Sequence, residues 1–267
     1  MNIRVLSAIA VLILQSTAAI AHDMWMQPET FFPAPHRKTV VHLYVGDRSK
    51  KEHEERPFQL AKTPQFRLYA GERGWDLRST QKDNAFPLHE LTVDKPGLYL
   101  LAMERNWSYI KLEPRRFEDY LRMEGMEYIV ADRAKLGESA KEGSERYSRF
   151  VKTLLSAGNK QDDTWKRAVG LKLELVPLDN PYEKKVGDKL AFQVLFDGKP
   201  LAGKTVFADN QESGVQKLTS DSQGKITMLI DKNGLWLMRM VFMQRCTSDC
   251  GASDWESFWS TLAFGVK

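Results

Sequence analysis

Leu171-Lys172-Leu173-Glu174-Leu175-Val176-Pro177 alternates apolar and charged residues over its first five positions. That two-residue period is the mark of a strand with one face buried. A Gly187-Asp188 turn leads into the apolar run 190–196, and Asp197-Gly198-Lys199-Pro200-Leu201-Ala202-Gly203 carries the residues of a hairpin. Residues 205–208 follow as a strand, and Ser220-Asp221-Ser222-Gln223-Gly224 turns the chain again into 226–230. Short strands at regular spacing between Gly and Asp turns predict a β-sandwich.

Working outward, Val93-Asp94-Lys95-Pro96-Gly97-Leu98-Tyr99-Leu100 lines up with Ile230-Asp231-Lys232-Asn233-Gly234-Leu235-Trp236-Leu237. Each has an apolar residue, an Asp-Lys-x-Gly turn and then an aromatic-aliphatic strand, so two related sandwiches are expected. The N-terminal half supplies further strands at 25–32, 39–45, 65–70 and 98–103. The phrase Gly198-Lys199-Pro200-Leu201-Ala202-Gly203, followed by the Ser-Asp-x-x-Gly turn, resembles transthyretin-like and bacterial immunoglobulin-like domains. The expected fold is mainly β: two immunoglobulin/transthyretin-like β-sandwich domains, 22–113 and 169–267, with an intervening helical segment and hinge at 114–168.

Two helices are expected in that segment. Pro114 opens one whose Phe117, Tyr120 and Leu121 share a face. Tyr147, Phe150, Val151, Leu154 and Leu155 recur at i, i+3, i+4, i+7 and i+8, which reads as an amphipathic helix. Its aromatic stripe can pack a core or line a ligand groove.

The first 21 residues follow the export pattern. Arg4 precedes the apolar run 5–14, and Ala19-Ile20-Ala21 is the small-x-small site that signal peptidase accepts. A membrane span needs roughly 20 apolar residues, about twice this run. Cleavage after Ala21 is expected, placing a mature protein that begins at His22 in the periplasm, not itself membrane-spanning. The formal charge of +4 becomes +3 when Arg4 leaves, 38 basic against 35 acidic residues. There is no long basic run, and Lys50-Lys51 is followed by Glu52, Glu54 and Glu55, so no nucleic-acid partner is expected. Cys246 and Cys250 lie four apart; a small-loop disulfide is expected in an oxidising compartment, with a soft-metal or redox pair as the alternative.

Export would expose His22 as residue one. Its α-amine and near ring nitrogen can close one chelate ring on a divalent metal, and both donors titrate near neutrality. Amine and imidazole suit nickel, cobalt, copper or zinc. Asp23 adds a carboxylate, and Met24 and Met26 add thioethers. His42, on the strand 39–45 with Tyr44 on its face, is a second imidazole; His53 sits in the charged 50–56 loop, His36 in a turn and His89 before a strand. Hydrolase, phosphate-loop and dinucleotide signatures do not occur.

The run Ala21-His22-Asp23-Met24-Trp25-Met26-Gln27-Pro28 resembles the opening of a family of bacterial periplasmic proteins of undefined function, whose members are often described as periplasmic components of nickel or cobalt uptake. The likeness continues through Val45-Gly46, Arg116-Phe117-Glu118-Asp119-Tyr120-Leu121, Glu145-Arg146-Tyr147-Ser148-Arg149 and Asp254-Trp255-Glu256-Ser257-Phe258-Trp259. The resemblance implies metal capture at His22 and delivery to a membrane metal transporter. Metal-uptake members have a second His after the glycine matching Gly46; here Asp47 stands there, a carboxylate that can still ligate. The expected metal set is therefore His22, Asp23, His42 and Asp47, without catalysis. Two other classes remain open: a metal-free envelope binding or scaffold module using Trp25, Trp107, Trp255 and Trp259, and an oxidative enzyme with a copper brace, which needs a second His beside His22.

Overall fold

The computed structural model describes residues 22–48 and 50–267; the expected leader, 1–21, lies outside the described residues. The first half supplies β1 (Asp23–Pro28), β2 (Arg37–Asp47), β3 (Glu52–Glu55), β4 (Gln65–Ala70), β5 (Arg73–Asp76), β6 (His89–Val93) and β7 (Gly97–Leu112). Helices α1 (Pro114–Met123) and α2 (Glu127–Lys135) follow, then β8 (Gly143–Ala157). The second half adds β9 (Leu173–Pro177), β10 (Lys189–Phe196), β11 (Lys199–Pro200), β12 (Thr205–Asn210), β13 (Gly214–Thr219), β14 (Lys225–Leu229), β15 (Gly234–Arg245) and β16 (Trp255–Val266).

The fold is mainly β, as expected, and of sandwich type. An eight-stranded sheet in the order β13-β12-β15-β16-β8-β7-β4-β5 takes strands from both halves of the chain. Alternation along its strands gives it two apolar faces. Leu101 and Met103 of β7 meet Met24, Met26, Val41 and Leu43, so the four-stranded sheet of β1, β2, β3 and β6 covers one face. Leu100 and Ala102, on the opposite face of β7, join Leu173, Leu175, Phe192 and Met228, so β9, β10, β11 and β14 cover the other. The helices pack on the first face, where Phe117, Tyr120 and Leu121 of α1 meet Val241, Trp255 and Trp259. A seam between the smaller sheet and the helices thus lies over β15, β16 and β8.

The second expected helix is instead β8, antiparallel to β7 and parallel to β16. A strand at the centre of a sheet covered on both sides buries residues of both parities. Val151 and Leu155 enter one core while Phe150 and Leu154 enter the other, and this double burial mimics a helical stripe. The α1 reading holds. Helix α1 begins with Pro114 in its first turn, where its missing N–H is no loss. It ends where Gly125, at φ +71°, donates to Arg122 O while Met126 donates to Leu121 O. That paired closure needs a left-handed residue, and a Cβ on Gly125 would lie 2.5 Å from Thr205.

The two repeated turns occupy equivalent places. Each carries the chain from a four-stranded sheet into the eight-stranded one, β6 to β7 and β14 to β15. In the first, Tyr99 Oη donates to Lys95 O at 2.8 Å; in the second, Trp236 Nε1 donates to Lys232 O at 3.0 Å. Cys246 and Cys250 form a disulfide, so neither offers a thiolate. Among the described residues, no helix is long and apolar enough to cross a membrane.

Candidate functional site

β1 enters the sheet at Asp23, which pairs with Gly46 of β2; Gly46 in turn pairs with His53 of β3. Gly46 is at φ +154°, and a Cβ there would fall 2.1 Å from Glu52 O and 2.5 Å from His53 Cα. Only glycine lets the three strands meet on this rung. Opposed residues share a face. Asp23, Trp25 and Gln27 therefore lie on the same side as His42, Tyr44, His53 and Glu55, away from the methionines and leucines of the core beneath.

Asp23 points into the seam between this sheet and the helices. Its Oδ2 lies 3.3 Å from Arg239 Nε, and Arg239 Nη1 donates to Glu124 Oε2 at 3.0 Å. Glu124 is there because it caps α1 just ahead of Gly125, and Arg239 because it is the one charged residue between Trp236 and Phe242 of β15. Beside them Arg48 Nη1 donates to Asp209 Oδ1 at 2.8 Å, both side chains nearly inaccessible. Arg149 Nη2 donates to the carbonyl of His22 at 3.0 Å and lies over the Tyr147 ring. Thr261 Oγ1 donates to Met24 O at 2.7 Å, so both residues flanking Asp23 are tied down.

Burial and mutual repulsion set the protonation of this cluster. Burial raises the Asp23 carboxyl against the pull of Arg239 and Arg149. Glu124 is pushed up to about 7, chiefly by burial and then by the charge of Asp23. Burial also raises Asp209 despite Arg48. For Arg239 burial works against the charge, but Asp23, Glu124, Asp209 and Asp47 together outweigh it and raise its pKa. A further carboxylate, Glu145, is buried beneath α1. Glu145 Oε1 accepts from Tyr120 Oη at 3.2 Å and from Ser257 Oγ, whose oxygen accepts from Trp259 Nε1 at 3.0 Å. Burial pushes Glu145 up to about 7, against those hydrogen bonds and Arg149.

Of the residues expected to bind metal, Asp23 and Asp47 belong to this cluster, and Asp47 also accepts from the Lys50 ammonium at 3.0 Å and the Lys50 amide at 3.2 Å. His22 is exposed at its mouth. His42 is not brought to it: it pairs with Gln27, five residues along β1 from His22, or roughly 17 Å at about 3.4 Å per residue. Its Nδ1 lies 2.7 Å from Glu55 Oε1. The imidazole on the Asp23 rung is His53, whose ring packs at 5.3 Å from Trp25 and 5.0 Å from Tyr44. Among the described residues, no three His, Cys, Asp or Glu side chains are arranged to hold a metal ion. Sequence reasoning missed Glu124, Asp209, Arg48 and Arg239. The available signal was the two charges inside apolar strands, Asp209 after Val206-Phe207-Ala208 and Arg239 between Met238 and Met240.

No curated protein matches the sequence. The family described as "Domain of unknown function (DUF4198)" matches residues 19–244, and the chain belongs to that family.

Proposed function

We propose that the protein is exported, loses residues 1–21 and uses the new terminus at His22 to capture a divalent transition-metal ion, nickel, cobalt or copper, in the periplasm for a membrane transporter. The metal is cargo. One observation carries the reading: β1 begins one residue after the expected cleavage point, with Asp23 fixed opposite Gly46. A His22 amine would thus emerge from a held backbone, its carbonyl gripped by Arg149, beside the carboxylates of Asp23 and Asp47. Amine and ring supply one chelate, and the Asp23 and Asp47 carboxylates are further oxygen donors if the ion displaces their cationic partners.

A copper-brace enzyme would need a second imidazole beside His22. His42 is five residues away along the sheet, and His53 is two strands across from Asp23 with its ring against Trp25 and Tyr44. Capture is therefore preferred to turnover. Mass spectrometry of exported protein should find His22 at the N-terminus. Calorimetric titration with nickel, cobalt, copper and zinc should show binding that His22→Ala removes. A retained leader, or binding untouched by His22→Ala, would overturn the proposal.

A further inference from the structure

A concave pocket of about 280 Å³ opens beside His53, next to the charged cluster, whose Arg48 is among its lining residues. It is built by four separate segments: β1, the β2–β3 hairpin, the β12–β13 turn and the β14–β15 turn. Four of its lining side chains are carboxamides, those of Gln27, Asn210, Gln211 and Asn233, and Glu212 and His53 complete the polar rim. Leu235 gives it apolar wall, and Trp25 is fully buried behind it.

The rim is held in place by its own hydrogen bonds. Asn210 Nδ2 donates to the carbonyls of Asn233 and Leu235, both at 3.2 Å, and Asn210 Oδ1 accepts from the Glu212 amide at 3.0 Å. Gln211 Nε2 donates to Arg48 O at 3.2 Å, and Trp25 Nε1 donates to Gln27 Oε1 at 3.1 Å. These bonds use one end of the Gln27 and Gln211 carboxamides and leave the amide nitrogen of Gln27 and the oxygen of Gln211 without a partner among the described residues. The carboxamide of Asn233 and the carboxylate of Glu212 likewise have none there.

Charge excludes the simpler ligands. Arg48 is the lining guanidinium, but it is spent on Asp209 at 2.8 Å and on Leu235 O at 3.4 Å, so an anion finds no free cation. Glu212 is the lining carboxylate, and one exposed carboxylate does not hold a cation. What is left is a wall that both donates and accepts, as each carboxamide does. A hydroxyl also does both. A ring bearing several hydroxyls presents O–H groups at its rim and C–H groups on its faces, matching carboxamides beside an apolar wall. The volume falls just below the usual range of ligand pockets, roughly 300–1,000 Å³, so the site takes no more than a single ring.

We infer that this pocket is a binding site for a neutral pyranose sugar. The inference is independent of metal capture, and its test is run with chelator present. D-glucose, D-galactose, D-mannose and N-acetyl-D-glucosamine would be titrated into the full mature chain by calorimetry, with sodium sulfate and L-lysine as ionic probes. At least one sugar should bind with a Kd below about 1 mM, the ionic probes should not compete, and Gln211→Ala/Glu212→Ala should weaken binding about tenfold or more. Both residues are exposed in a turn, so the double variant keeps its circular dichroism and melting temperature. The proposal is overturned if no sugar binds below about 1 mM, if sulfate or lysine binds in preference, or if the double variant binds as the parent does.

Discussion

Asp23 faces Gly46 across the first rung of β1 and β2, and Gly46 has no room for a side chain because the β3 backbone passes directly beside it. This pairing fixes the start of β1. It also aims the Asp23 carboxylate at Arg239, which holds Glu124 on its other side. The first residue of β1 is thereby seated against a charged cluster drawn from several elements of the fold.

Gly46→Ala should be strongly destabilising. The added methyl meets Glu52 O and His53 Cα, backbone atoms that cannot step aside, and the φ of +154° is one that alanine rarely adopts. A loss of about 3 kcal/mol is expected from strain and lost β2–β3 pairing. Urea denaturation checks this; a variant as stable as the parent would show that the rung is looser than described.

Arg239→Met removes the guanidinium from between two buried carboxylates. Breaking a buried pair by deleting one partner costs about 3–5 kcal/mol, because the remaining charge stays desolvated. Protonation relieves part of that cost, so the loss at pH 5 should be smaller than at pH 8. Adding Glu124→Gln to the variant should recover some of the stability at pH 8 and little at pH 5.

Glu145 predicts a pH dependence of known sign. Its folded pKa of about 7 lies above the usual carboxylate value of 4.5, so the folded state holds a proton that the unfolded chain releases between those values. The contribution is full below about pH 4.5 and is lost as pH rises through 7. Glu145→Gln stays neutral throughout and keeps an acceptor for Ser257 and Tyr120. It should flatten part of the fall in stability from pH 4.5 to 7 and gain on the order of 1–3 kcal/mol at pH 8. Melting curves across that range decide it; a variant that tracks the parent at every pH would place the proton elsewhere.

Much of the sheet was legible because local chemistry dictates it. The hairpin at 197–203 and the paired Asp-Lys-x-Gly turns became turns of the expected kind, and 173–177 became a strand, although it is buried on both faces, Glu174 pairing there with Lys152, rather than on one. Tyr99 and Trp236 even repeat one hydrogen bond, although phenol and indole share no sequence identity. The residues from Tyr147 to Leu155 misled because a strand buried on both faces loses its alternation. Asp23 was found by its nearness to His22 in the chain, and Asp47 by the resemblance, at the position after Gly46 where metal-uptake members have a His. Arg239, Glu124 and Asp209 were not, since their meeting depends on how a sheet and two helices share one face of a larger sheet. The same register that joins Asp23 to Gly46 carries His42 away, a separation that only strand pairing reveals.

The most direct test of metal capture leaves every side chain in place and moves only the amine. Two mature proteins would be titrated by calorimetry with nickel, cobalt, copper and zinc: one beginning at His22, the other with Gly-Ser-Gly-Ser ahead of it, long enough that the histidine is not the third residue, where amine, backbone amides and imidazole would make a new copper and nickel site. Losing the amine and its chelate ring should weaken binding about tenfold for each 1.4 kcal/mol lost, and both proteins should bind more weakly below about pH 6 as protons compete for the imidazole. Tight binding by the native terminus and at least a tenfold loss in the extended chain is the predicted result. Equal affinity in the two, or no binding by either, would contradict the account.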